Sequence, residues 1–340
     1  MSDMKFIFQF LGLFLSTVCV AVLVSCGNQS PDTSSTPASS PTSQNASTGQ
    51  MAHSGHAKIN INTAILSELD KLEAKLGIPA LSHKIQASRP YGKTEELVSK
   101  NLLTQEQFDQ IKDMVTVEDV VLTGEAKDVD YMTKLGLMKG HLLVAGELLK
   151  IQKPKEAEPH IGHPVEEIYA DVEEQFRERN VKDFKNELIA LQDLVKAGAK
   201  DSAKVNADFK ASMQAVDGAI AGIPAAQRQS PRFVLQVING LLDTAVAEYT
   251  ASIADGKISQ IIEYQDSRGF VVYANDLYQD IASQVAQKSE SDKVIRENMA
   301  NLIKVWPSVT PPKTPVMSPE EVSQLVKSIG LSSQKVIQSM

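Results

Sequence analysis

The 340 residues predict an all-α protein, with a small helical domain followed by a larger antiparallel helical bundle. Three observations carry that expectation. Apolar residues recur at helical spacing almost without interruption from Asp128 to Trp306, and no stretch there alternates as a half-buried strand does. Leu66, Leu69 and Leu72 begin the same spacing much earlier in the chain. The breaks between periodic runs carry helix punctuation, such as Gly77 with Pro79, Lys153-Pro154, Gly198 and Gly222-Ile-Pro224.

The chain starts with delivery signals. Met1–Ser25 carries Lys5, then an almost wholly apolar run from Phe6 to Val24, then small residues, which is the order of a secretory signal. Leu23-Val24-Ser25-Cys26 resembles the bacterial lipobox. That resemblance implies removal of residues 1–25 and acylation of Cys26 with palmitate-type chains, and several chains anchor a protein stably where one does not. The alternative is an uncleaved anchor, because the apolar run approaches the ~20 residues that span a bilayer. Either way the body is expected outside the cytoplasm, at the periplasmic or outer side of a cell membrane. Cys19 and Cys26 are the only cysteines, so the body has no disulfide framework, redox pair or cysteine zinc site.

Residues 26–57 are mostly Ser, Thr, Pro, Gln and Asn, too poor in large apolar side chains to offset the entropy of ordering, and read as a disordered linker. Met51, His53 and His56 near its end combine thioether and imidazole, which are copper-type ligands. The plainer reading is a solvated tail.

The first folded part is expected over 58–120. Asn62-Thr63 reads as a helix start, Gly77 as a left-handed C-cap and Pro79 as the first turn of a second helix over about 80–87. A third helix holds Glu95, Glu96, Leu97 and Val98. Thr104 with Gln107 approximates a capping box opening a fourth, which carries Phe108, Ile111 and Val115. Ile59-Asn-Ile-Asn-Thr-Ala64, Leu76-Gly-Ile78, Lys84-Ile85, Arg89-Pro-Tyr91, Glu95-Glu-Leu-Val98 and Phe108-x-x-Ile-Lys-Asp113 together resemble a tandem helix-hairpin-helix domain. The exported kind, as in competence-type DNA receptors and the extrinsic U subunit of photosystem II, is the nearest in pattern.

That resemblance implies DNA binding through Gly77, Lys84 and Lys100, with backbone N–H groups at a hairpin facing phosphate. The sequence departs from the pattern. Pro79 replaces the second hairpin glycine and has no N–H, and Lys100–Thr104 contains no glycine. Between Lys58 and Asp119 eight basic and ten acidic side chains leave the region near −2, and the whole chain carries −8. Both balances repel a polyanion. Docking of a protein partner or a purely structural role is the expectation favoured over DNA.

The second part spans 128–306, with helices expected over about 129–152, 164–179, 181–197, 201–222, 231–254, 257–288 and 291–305. Residues 307–340 form a Pro-rich tail with a short helix after Ser318. This part matches no family by motif. The isolated pair Gly140-His141 is all it shares with imelysin-like helical domains of exported iron-associated proteins.

Three clusters in the bundle carry metal-type ligands: His141 with Glu147, His160 with His163 followed by Glu166 and Glu167, and Glu263 with Asp266, with Glu248 on the preceding helix. Bundles build iron or copper sites from histidines and carboxylates that project inward from facing helices. The plainer alternative makes His141 a satisfied core residue and lets His160 and His163 cap a helix. No nucleophile elbow, phosphate loop, dinucleotide glycine fingerprint or HExxH pair occurs, so the chain is not expected to be an enzyme. The leading expectation is a membrane-anchored, non-enzymatic binding or scaffold protein acting through the helix-hairpin-helix module. The alternatives are DNA binding by that module and iron or copper binding by the bundle.

Overall fold

A computed structural model of the chain describes residues 58–118, 122–285 and 290–340. The expected signal, Cys26, the linker and the Met51/His53/His56 cluster lie outside the described residues.

The first part begins with β1 (Ile59–Asn60), then α1 (Leu66–Leu76), α2 (Leu81–Ala87), α3 (Glu96–Ser99), α4 (Gln105–Ile111) and β2 (Val115–Thr116). β1 pairs in parallel with β2 and ties the two ends of this part together. Its own small core contains Ile61, Leu69, Leu72, Leu81, Ile85, Leu97 and Ile111. Gly77 sits at φ 63° as the C-cap of α1 and donates its N–H to Glu73. The Glu73 carboxylate then reaches forward to accept from the N–H groups of Ala80 and Ser82. Pro79 therefore precedes α2 instead of opening it. The Thr104–Gln107 capping box forms in both directions.

The bundle opens with α5 (Gly124–Lys150), followed by the short α6 (Pro154–Ala157) and α7 (Pro159–His163). One π-helical turn (Pro164–Ile168) leads into α8 (Tyr169–Glu178). Then come α9 (Lys185–Lys196), α10 (Ser202–Ile220), the short α11 (Ala225–Arg228) and α12 (Pro231–Ala251). A tight hairpin of β3 (Ile253–Ala254) and β4 (Lys257–Ile258) turns the chain into α13 (Ile261–Val285). α14 (Glu290–Leu302), a 3-10 turn (Ile303–Val305) and α15 (Pro319–Gln338) complete the fold. The all-α class is as expected. Three details differ: the hairpin delays α13 to Ile261, the first turn of the expected 164–179 helix is π-helical, and the tail helix is 20 residues long.

α15 is long because its start is doubly secured. Ser318 and Glu321 form a reciprocal capping box, and Pro319 occupies the first turn, where its missing N–H costs nothing. Val322, Val326, Ile329 and Val336 then bury one stripe against the bundle core.

The described residues belong to one compact unit. α1 lies along α12, and Ile65, at the start of α1, joins the bundle core and not the smaller one. That seam positions the site described next.

Candidate metal centre

α5 and α13 touch backbone to backbone at two glycines. A Cβ on Gly269 would stand 2.3 Å from the carbonyl oxygen of Gly140, and a Cβ on Gly140 would meet Phe270 at 2.6 Å. Only glycine permits so close a crossing. His141 follows Gly140 directly and Asp266 precedes Gly269 by one turn, so the crossing sets one against the other. α7 supplies His160 and His163, which share a face because they are three residues apart.

Asp266 is the hub. Its Oδ1 accepts from Nδ1 of His141 at 2.7 Å and from Nδ1 of His160 at 2.6 Å, and Nδ1 of His163 lies 3.4 Å from Oδ2. Nε2 of His160 faces Oε1 of Gln265 at 2.8 Å. The Gln265 amide is held in that sense because its nitrogen donates to the Val309 carbonyl. Both His160 nitrogens are therefore spent. His141 differs: with Nδ1 donating to Asp266, its Nε2 keeps a lone pair, and that atom is buried without a hydrogen-bond partner. Donor nitrogens of His141 and His163 and a carboxylate oxygen of Asp266 lie within 4.8 Å of one another, the spacing from which three ligands close on one ion.

The turn around Asp266 is held by residues 306–309. Tyr264 donates to the Ser308 carbonyl, Gln265 to Val309, and Arg268 to Trp306, while the Trp306 indole N–H donates to Ser267 Oγ. Tyr264, Gln265, Ser267 and Arg268 are thus each tied to 306–309, and of these Gln265 also reaches His160 beside Asp266. Such outer partners orient metal ligands and fix their tautomers.

Electrostatics separates the group into two kinds. Burial works against charge on Asp266, but His141 and His160 hold its carboxyl well below the ordinary range. Burial also opposes charge on His163, yet Asp266, Glu167 and Glu166 raise it to about 9. Burial lowers His141, so its contact with Asp266 is a hydrogen bond from a neutral ring and not an ion pair. Beside these residues lies a cavity of about 170 Å³ between α1, the π turn, α12 and α13. Asp70, Glu73, Glu167, Glu248, Glu263 and Asp266 line it, and no lysine or arginine does. Burial pushes Asp70 up to about 8, Glu167 to about 7 and Glu248 well above its ordinary value.

Of the six candidate ligands read from the sequence, His141, His160, His163 and Asp266 meet here. Glu263 lines the neighbouring cavity. Glu147 points elsewhere, forming a two-pronged pair with Arg268 at 3.0 and 3.1 Å. Glu167 and Glu248 stood beside those candidates in the sequence clusters without being counted as ligands, and Asp70 was not singled out at all. Two of them carried a signal: Asp70 falls on the Leu66 stripe of α1, and Glu248 on the Leu241–Ala245 stripe of α12, each a carboxylate where an apolar residue is expected.

The C-terminal residues 224–340 match the family model of an iron permease-associated 4-helix bundle domain. That span contains the four long helices α12, α13, α14 and α15, and with them Asp266, Glu248 and Glu263. No curated protein and no solved structure matches the chain. The match corrects the helix-hairpin-helix assignment of 58–120: the family model that matches lies over 224–340 and is not of that kind. The docking or scaffold role and the DNA-binding role drawn from that assignment fall with it. Local geometry agrees: the Lys100 ammonium donates to the Ser88 and Pro90 carbonyls, pairs with Glu96 and sits over the Tyr91 ring, so it is spent inside the fold. Gly77 caps α1, and Lys84 is left as an isolated exposed cation. Among the described residues no helix is long and apolar enough to cross a membrane.

Proposed function

We propose that the chain is a non-enzymatic, membrane-anchored protein that binds a transition-metal ion, iron foremost, as cargo at the extracytoplasmic surface. The observation that carries this reading is the meeting of His141, His163 and Asp266, with the buried Nε2 of His141 lacking any partner. A buried polar atom without a partner costs free energy unless a ligand completes it. Two imidazoles and a carboxylate suit iron, and equally copper or zinc, so the donor set gives the class and the family match favours iron. His160 acts as a positioning residue that holds Asp266.

The permease-associated match further suggests that the cargo is exchanged with an iron permease in the same membrane. Acylation at Cys26 would keep the carrier there, and mass spectrometry of the mature N-terminus tests that part by itself. Metal analysis of the full chain after anaerobic loading with Fe(II) tests the whole. About one tightly held iron per chain is expected, lost in H141A and H163A. A chain that retains no iron, copper or zinc above background overturns the reading.

A further inference from the structure

We propose that the carboxylate cavity between α1 and α12 is an entry vestibule for a small hydrated divalent cation, held there by Asp70 and Glu248 before it reaches the histidines. The inference rests on the metal reading above and goes beyond it by naming the form of the cargo and a role for the first helical part.

Size restricts what enters. At roughly 30 Å³ of liquid volume per water, the cavity of about 170 Å³ holds about five or six waters. That suits a cation with most of its water shell. It does not admit a haem or an organic metal chelate, which need the several hundred Å³ of an ordinary ligand pocket.

Charge restricts it further. Six carboxyl groups face this volume without a lysine or arginine among them. Where these acids are ionised, a cleft lined by one sign of charge in low-dielectric walls raises the local concentration of counter-ions, and an entering cation displaces the protons that burial holds on Asp70 and Glu248. Carboxylate oxygens and water are the donors that hard, hydrated cations accept. Asp70 and Glu248 are the deepest of the six apart from Asp266, at 9% and 3% exposure, and they line the cavity from α1 and α12. Asp266 and His163 line the same cavity, so two of the three residues of the triad face it directly.

Neither part of the protein makes this vestibule alone. Asp70 and Glu73 come from α1, and the other four acids come from the π turn, α12 and α13. Packing of α1 on α12 therefore serves the site as well as stability.

Stopped-flow mixing of the full chain with Co(II), read through its visible absorption, tests the proposal. The wild type should bind quickly, with a rate that falls steeply as NaCl is raised. D70N/E248Q should bind at least about tenfold more slowly, with a flatter salt dependence, and reach the same final Co(II) spectrum. E95Q, on the exposed surface, should behave as wild type. An unchanged rate and salt dependence in D70N/E248Q overturns the vestibule while leaving the triad standing. If that variant does not fold, a salt-independent rate in the wild type overturns it equally. Absence of any Co(II) signal in the wild type would instead remove the metal reading itself. Haem added to the full chain should give no Soret shift, and a stoichiometric shift would overturn the size restriction.

Discussion

Asp266 and Glu248 lie on neighbouring helices, α13 and α12, and both are almost completely buried. Their surroundings drive them apart. Asp266 is ringed by three histidines, two of them on one oxygen, and keeps its charge. Glu248 has Asp70, Asp266, Glu263 and Glu167 for neighbours and is pushed toward its neutral acid. Equal burial thus gives opposite protonation, because desolvation sets only the starting penalty and neighbouring charges decide the sign. At the histidine-rich end the imidazoles keep a carboxylate charged, whereas at the acid-rich end burial and like neighbours hold several acids toward their neutral form.

Removing the hub should have the largest effect. D266N leaves the buried His141 and His160 donors without a charged acceptor, and losing hydrogen bonds to a charged group costs about 1.5–3 kcal/mol each. Urea denaturation should register that loss, and metal retention should vanish with it. G269A comes next. Its new methyl cannot coexist with the Gly140 carbonyl, so α5 and α13 must separate at a cost of about 1–3 kcal/mol. Because that crossing sets His141 against Asp266, metal affinity should fall even in buffers where the fold survives.

The acid-rich end should respond in the opposite direction. Asp70 is raised from 3.8 to about 8, so between those pH values the native state binds more protons than the unfolded chain. Stability from this group is complete below pH 4 and is lost as pH rises to about 8. D70N removes the titration. At pH 8 the metal-free variant should therefore be more stable than wild type by several kcal/mol, with little difference at pH 4. A wild type whose melting temperature rises from pH 5 to pH 8 while D70N stays level would contradict this. The smallest effect is expected for E147Q. Glu147 was a ligand candidate in the sequence, but it is a third exposed and pairs with Arg268, so its loss should cost less than about 1 kcal/mol and leave metal stoichiometry unchanged.

Much of the local structure was legible in the residues. The Thr104 and Ser318 capping signals, the Gly77 cap and the helical runs of α5, α12 and α13 all read directly, because caps and periodicity act within one or two turns. The hairpin at 253–258 and the π turn at 164–168 did not. Each departs from a helical pattern by only a few residues, and no periodicity resolves so short an interruption. The short helix α7 that puts His160 and His163 on one face was not legible either, since the glycine and proline around His163 read as a break and a helix start. Glu147 stood beside His141 in the sequence although six residues apart do not share a helix face well, and nothing in the chain marks Arg268, 121 residues away, as its partner.

By itself the sequence determined which residues form helices, where those helices stop, and that histidines and acids lie on particular faces. Only the tertiary structure decided which faces meet. His141 and Asp266 are 125 residues apart, and they touch because Gly140 and Gly269 let two backbones close to within a Cβ's width. Periodicity fixes the direction of a side chain about its own helix axis and says nothing about the neighbour across the gap. The charge each buried acid carries is settled by that neighbour.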